Sequence, residues 1–164
     1  MENPKIDNKE IKLVGIQEII KHKPNQNLTE ELESLWKRVT KQKLKITSIS
    51  DENLAVGYWH WIDNERRLFF AGILVKTLDD FKRDSNTGLC SWDLGKTQVA
   101  IFKEKNGEEG AIISSPAVFK KLNEMSFRLN TKFNGEIFVY PLAWLEGEIP
   151  QDDFHEIWIP IIKK

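Results

Sequence analysis

The sequence predicts an α+β fold: two β-α-β-β units with pseudo-twofold symmetry, one antiparallel sheet and two helices on one face, with the other face left free as an interface or a ligand cleft. The order of the elements predicts it, because a strand-like run, an amphipathic helical segment and two more strand-like runs occur twice. The halves cover about 11–76 and 94–163 of the 164 residues. One unit alone would bury too little surface, so the two halves are expected to form a single domain.

Composition and charge exclude several classes of protein. Lys and Arg number 24 against 25 Asp and Glu, whereas a dedicated nucleic-acid binder normally has a basic surplus. No apolar run approaches the roughly 18 residues of a membrane-spanning helix, and no helix-turn-helix domain fits before Ile11. The single cysteine, Cys90, excludes an internal disulfide and a CxxC zinc site. We expect a cytoplasmic protein, a monomer or weak homodimer, without cofactor, metal, membrane or direct nucleic-acid partner.

The first unit contains the clearest helix signal in the chain. Residues 11–21 are rich in β-branched side chains and predict a strand, which a turn with Pro24 follows. Residues 28–42 are acidic at their start and basic at their end, as suits a helix dipole, and Asn27 is a candidate N-cap. Their apolar stripe consists of Leu28, Leu32, Leu35, Trp36 and Val39. Two strands, at 54–62 and 67–75, then form a predicted hairpin.

The second unit follows a polar connection at 77–93. A strand is predicted at 97–105, and a helix at 114–129 with Pro116 at its first helical position. Two strands, at 135–144 and 155–162, close the unit, and an acidic loop joins them.

Aromatic residues give the first indication of a site. The chain has six Trp, nine Phe and two Tyr. Strand alternation puts Trp59 and Trp61 on one side of their strand, as a flat wall, and the more aliphatic side with Tyr58 toward a helix. In the strand at 135–144, Glu136 is in phase with Phe138 and Tyr140. A carboxylate among aromatic rings is costly to bury alone and becomes favourable when a ligand brings a positive charge.

Ordinary structural roles remain open for the same residues. Trp36 and Trp158 fit a plain core, and Trp59 and Trp61 fit either a core or a cleft wall. Glu136 stands early in its strand and also fits a solvated edge. The three histidines lack metal-ligand spacing, no motif supports Cys90 as a nucleophile, and acids surround Gly107 and Gly110, where they would repel phosphate.

Several segments together resemble the GyrI-like small-molecule-binding domains, the effector-binding domains of bacterial multidrug-responsive regulators. Their order and spacing carry the resemblance over nearly the whole chain: ELESLWKRV, LFFAGILV, LGKTQVAIFKEKNG, GEIFVY and HEIWIPI. It implies two β-α-β-β units and a cleft between them for hydrophobic, often cationic molecules. The characteristic glutamate of the family corresponds to Glu136. The implied cleft wall is Tyr58, Trp59 or Trp61, Phe69 or Phe70, Phe138 and Tyr140, with Trp92 and Trp144 at the rim.

The chain departs from this family at one place, where Val99 stands instead of a frequent tyrosine, so the ligand cannot be transferred. The resemblance favours stand-alone binding of a hydrophobic, probably cationic molecule, with Glu136 as counter-charge. One alternative is a hydrolase of strained or electrophilic molecules, with Glu136 as general base and Tyr140 or Tyr58 assisting. Another is a protein–protein inhibitor module that uses the same face.

Overall fold

A computed structural model gives the architecture of the chain and describes residues 2–21, 29–106, 115–133 and 135–164. The predicted turn with Pro24, Asn27, Leu28, Gly107 and Gly110 lie outside the described residues. Within them, the elements follow in the order β1 (Lys5–Lys21), α1 (Thr29–Gln42), β2 (Leu54–Trp61), β3 (Arg66–Leu74), β4 (Cys90–Lys105), α2 (Pro116–Glu124), β5 (Phe127–Leu129), β6 (Gly135–Pro141) and β7 (Phe154–Lys163). Short 3-10 turns follow α1 and β6, at Lys43–Lys45 and Leu142–Glu146. The α+β class is confirmed.

Six of the strands form a closed antiparallel ring. The sheet order is β4-β1-β3-β2-β6-β7, and β7 pairs in turn with β4. In each half the strands pair in the same order, β1-β3-β2 and β4-β7-β6, and equivalent strands join the halves as β1–β4 and β2–β6. A pseudo-twofold axis between the halves requires this pairing of equivalent strands. The short β5 is an addition that pairs with the end of β7.

The helices lie on the outside of the ring, one over each half. Leu35 and Val39 of α1 pack with residues of β1, β2 and β3, and Val118 and Leu122 of α2 pack with residues of β4, β6 and β7. The face away from the helices, where the ligand cleft was predicted, is not free, because the ring closes around it and buried side chains fill it. All six strands contribute to this interior cluster, which consists of Ile11, Leu13, Val56, Tyr58, Phe70, Leu74, Leu94, Val99, Ile101, Ile137, Val139 and Trp158.

Three predicted boundaries are wrong by five residues or more, and strand pairing explains each one. β1 begins at Lys5, in a polar segment, because its first residues pair with β4. β4 begins at Cys90, inside the predicted connection, and continues past a bulge next to Ile11 where Gly95 has a φ of +64°. α2 stops at Glu124, since Ser126 has a φ of +62° and the next residues form β5 instead of helix.

Candidate ligand-binding site

The register of β2 against β6 gathers most of the predicted site residues on one face. Trp59 lies opposite Glu136, Gly57 opposite Phe138, and Ala55 opposite Tyr140. Directly opposed residues of neighbouring strands point to the same side, so these side chains share a surface. We call this surface, with Trp59, Trp61, Glu136, Phe138 and Tyr140, the Glu136 face.

The Glu136 face lies on the helix side of the sheet, at the seam between the two halves. Trp59 and Tyr140 each pack against both helix-side clusters, the one under α1 and the one under α2. Val56 and Tyr58 lie in the ring interior, so the prediction that the aliphatic side of β2 faces a helix is wrong. The alternation was correctly predicted, but both sides of this strand are covered, and alternation alone does not identify the helix side.

Glu136 is a buried carboxylate beside aromatic rings. Its residue is 1% exposed, so the solvated-edge alternative does not hold. Gly135 permits this close packing, because a Cβ at that position would overlap the carbonyl oxygen of Trp59. The ring of Trp59 lies 4.6 Å from that of Phe138 and 5.1 Å from that of Phe69, measured between centroids. The buried carboxylate therefore lies on the same face of the sheet as a cluster of packed aromatic rings.

Arg67 completes the cluster, and the sequence reasoning missed it. The residue lies opposite Trp61 in the β2–β3 pairing and is only 6% exposed. Its guanidinium carbon lies 3.9 Å from the ring centroid of Trp61, 5.5 Å from that of Trp59 and 5.7 Å from that of Phe69. Burial lowers the pKa of Arg67, and the negative charge of Glu136 opposes this shift. A cation is therefore already held between aromatic rings and within the field of the buried carboxylate.

The signal that identifies Arg67 is the hairpin register. The predicted strands at 54–62 and 67–75 bring Trp61 close to Arg67, but Arg67 directly follows the polar turn Asp63–Arg66, a position typical of an exposed arginine. Arg66, the adjacent residue, illustrates the contrast: it is exposed and forms an ion pair with Asp63, with 2.7 Å between Nε and Oδ2.

At the other end of the Glu136 face, Tyr140 links the rim to a buried polar cluster. Its ring lies 6.3 Å from that of Trp144 and 4.8 Å from that of His155. His155 is 1% exposed; its Nδ1 lies 2.8 Å from Oδ1 of Asn106, and its Nε2 lies 3.3 Å from Oε1 of Glu104. Asn106 also donates through Nδ2 to the carbonyl oxygen of Pro150, so its Oδ1 accepts a hydrogen bond from Nδ1–H of His155. This polar cluster therefore packs, through His155, against the Tyr140 end of the Glu136 face.

Tyr58, Phe70 and Trp92 are not brought together with Glu136. Tyr58 and Phe70 are each 1% exposed and pack in the ring interior, and Trp92 packs against them with its ring 5.6 Å from that of Tyr58. Nε1 of Trp92 donates to Oε1 of Gln17. Burial raises the pKa of Tyr58 to about 12. Trp158, predicted as core, is fully buried in the same interior.

Two cavities lie away from this surface: one of about 370 Å³ is lined by residues that include Cys90 and Trp92, and one of about 220 Å³ by residues that include Phe81 and Leu89. A cavity of about 300 Å³ is lined by Trp61, Ile62, Asp63 and Asn64, so it adjoins the Arg67 end of the Glu136 face. Among residues 2–21, 29–106, 115–133 and 135–164, no group of three or more His, Cys, Asp or Glu side chains is arranged to hold a metal ion. No helix in those ranges is long and apolar enough to cross a bilayer.

Comparisons with known proteins agree on the fold. No protein-family model and no curated protein sequence matches the chain. SAV2435 bound to tetraphenylphosphonium is 14% identical and matches with a TM-score of 0.60, over 99% of this chain and 94% of that one. The C-terminal domain of EcmrR is 10% identical with a TM-score of 0.66, over 98% and 99% of the two chains. A hydrolase from Listeria innocua is 11% identical with a TM-score of 0.52, over 98% and 93%.

Identities this low show a common fold and leave activity and ligand undecided. The match extends over nearly the full length of this chain and of each of these three structures, so both β-α-β-β units and their arrangement are included. The chain has the fold of the GyrI-like small-molecule-binding domains, as its sequence resemblance predicts.

Proposed function

We propose that this chain binds a hydrophobic, cationic small molecule on the Glu136 face, in the role of an effector-binding domain. The observation that carries the proposal is the Arg67 guanidinium, which is held over Trp61 and Trp59 next to the buried Glu136. A surface that accommodates its own buried cation has the chemistry to accommodate the cation of a ligand.

Two physical terms favour a cationic ligand here. A cation over an aromatic ring gains about 0.5–1 kcal/mol at an exposed position and about 2 kcal/mol or more when it is desolvated. The buried carboxylate of Glu136 attracts a positive charge, a role that the charge of Arg67 fills in this structure. Several aromatic contacts acting together are needed to reach micromolar affinity, which corresponds to about 8 kcal/mol.

The ligand would lie along the seam between the halves. Its cation would meet Trp59, Trp61 and Glu136, and its apolar body would extend over Tyr140 toward Trp144. Tyr58, Phe70 and Trp92 belong to the ring interior and are not part of this proposed contact surface.

Two of the structures with the same fold support this choice of function. SAV2435 is bound to tetraphenylphosphonium, a lipophilic cation. EcmrR, whose C-terminal domain has this fold, also occurs in a complex with DNA, and the present chain matches 59% of that longer chain. An effector-binding role, on its own or together with a regulator, is consistent with both.

The test is a titration with tetraphenylphosphonium, followed by tryptophan fluorescence. Saturable quenching is expected for the wild-type protein, and Glu136→Gln is expected to weaken binding about tenfold or more because the counter-charge is lost. Glu33→Gln removes the same charge from an exposed position of α1 and should leave binding unchanged. If Glu136→Gln does not fold, Trp61→Ala takes its place, since Trp61 is half-buried at the edge of the cluster. Absence of quenching, or equal binding by Glu136→Gln and the wild type, refutes the proposal.

A hydrolase is the second candidate, favoured by the Listeria innocua hydrolase of the same fold. Glu136 would be the general base, and Tyr140 is the tyrosine on its face, four residues along the same strand. At about 3.3 Å per residue, that places the two backbone positions roughly 13 Å apart. They would have to act at opposite ends of a substrate. Product formation that Glu136→Gln abolishes would establish catalysis, whereas saturation without product would leave binding alone.

A further inference from the structure

The Arg67 side chain is held by contacts with aromatic rings and by the negative charge of Glu136. Its Nε atom is buried and has no hydrogen-bond partner among the described residues. The guanidinium carbon stands over the Trp61 ring, 3.9 Å from its centroid, which is van der Waals contact. Its other neighbours are the rings of Trp59 and Phe69 and the charge of Glu136.

The Nε atom of Arg67 is not used as it would be in an arginine that serves as a structural clamp. Structural arginines use their planar fork to bind carboxylates or carbonyl groups through paired hydrogen bonds. The aromatic rings and the negative charge of Glu136 offer the same stabilisation to any flat cation of similar size. Another flat cation in the same place is therefore stabilised about as well as Arg67 is. The displaced Arg67 side chain can then be hydrated by water.

We propose that Arg67 is an internal stand-in for the cationic group of the ligand, and that the ligand carries a planar, delocalised cation, an amidinium or guanidinium attached to an apolar body. The ligand binds by displacing Arg67 from Trp61 and Glu136. This inference rests on the proposed function and adds to it the chemical class of the ligand and the residue that determines specificity.

A planar cation is preferred over an ammonium group for two reasons. A guanidinium or amidinium is more weakly hydrated than an ammonium, so less free energy is lost when it leaves water for a site of this kind. Its flat face also matches the contact that Arg67 makes with Trp61. An ammonium is a compact point charge with a strong hydration shell and gains less from the same rings.

Because a ligand has to displace Arg67, it must also exceed a minimum affinity. Arg67 is tethered next to its place, so its effective concentration is high and a free cation must compete with it. A small cation without further contacts binds poorly in this competition. A ligand with an apolar body gains additional contacts along Phe138 and Tyr140, and Arg67 thereby selects amphipathic molecules.

The experiment compares benzamidinium with benzylammonium, which have similar size and the same charge but a planar and a compact cation. Binding to the wild type, Arg67→Ala and Arg66→Ala is measured by tryptophan fluorescence and by the shift of the unfolding temperature. Arg67→Ala is expected to bind benzamidinium about tenfold more tightly than the wild type does, and several-fold more tightly than it binds benzylammonium. Arg66→Ala removes a neighbouring, exposed arginine and should behave as the wild type does. If Arg67→Ala does not fold, Arg67→Lys replaces the planar cation by a weaker competitor and should give an intermediate gain.

Two results overturn the inference: benzamidinium binding to a folded Arg67 variant that is no tighter than to the wild type, or equal affinity for the two probes. Tetraphenylphosphonium separates this failure from a failure of the proposed function. If it binds the wild type in a Glu136-dependent way while the Arg67 variants gain nothing, only the stand-in role is refuted. If neither it nor benzamidinium binds the wild type or Arg67→Ala, the proposed function itself fails.

Discussion

The electrostatic interaction between Arg67 and Glu136 can be measured by a double-mutant cycle on stability. Both residues are more than nine-tenths buried, at 6% and 1% exposure. Removing one member of a buried charge pair typically costs 3–5 kcal/mol, because the remaining charge is left in a poorly solvating environment. We therefore expect Arg67→Met and Glu136→Gln each to lower the free energy of unfolding by about 3 kcal/mol. The double variant leaves no buried charge behind, so it should lose no more than one single variant does, and the coupling energy is expected to be at least about 3 kcal/mol.

Urea unfolding of the four proteins gives the coupling energy, and a second cycle on Arg66 and Asp63 provides a matched control. That pair is in direct contact, with 2.7 Å between Nε and Oδ2, but both side chains are about half exposed. Exposed pairs couple by less than about 1 kcal/mol, even when the distance is short. If the buried pair couples no more strongly than the exposed pair, burial does not control the energetics of the Glu136 face and the reasoning is refuted.

Three further predictions concern single positions. Gly135→Ala should destabilise the fold by about 1–3 kcal/mol and weaken tetraphenylphosphonium binding, because the new Cβ would push against the Trp59 carbonyl; Gly147→Ala, where a Cβ meets nothing within 4 Å, is the control in urea unfolding. Burial raises the pKa of the Cys90 thiol, so a thiol reagent should modify the native protein more slowly than the urea-unfolded protein, and equal rates would contradict this. The pKa of Tyr58 is raised to about 12, so native tyrosinate absorbance should show a step near pH 12 that Tyr58→Phe removes. Because an unfolded tyrosine releases its proton near pH 10, the free energy of unfolding should fall as the pH rises between these values.

The hairpin and the first helix could be predicted closely from the sequence, because their periodicity depends on local contacts. β2 ends one residue before the predicted strand, and β3 begins and ends one residue earlier than predicted. The polar beginning of β1 and the first part of β4 carry no such pattern. They are strands because they pair with each other across the chain, and sequence periodicity does not record that pairing.

The candidate site was predictable in part. Glu136 stood out because a carboxylate in phase with Phe138 and Tyr140 needs an explanation, and the structure places all three on one face. Arg67 was missed because an arginine after a polar turn ordinarily lies in solvent. Its burial depends on the rings of Trp59 and Trp61 reaching over it, which becomes visible only when the hairpin is folded.

The closed ring of strands also limits how this protein can associate with other chains. Each of the six ring strands has a neighbour on both sides, and the short β5 has only three residues. An incoming peptide or a second copy therefore finds little exposed backbone in the described strands to which it could add a strand. Any assembly through these elements has to use side-chain surfaces. Aggregation by strand addition would first require the β4–β7 or β4–β1 pairing to open.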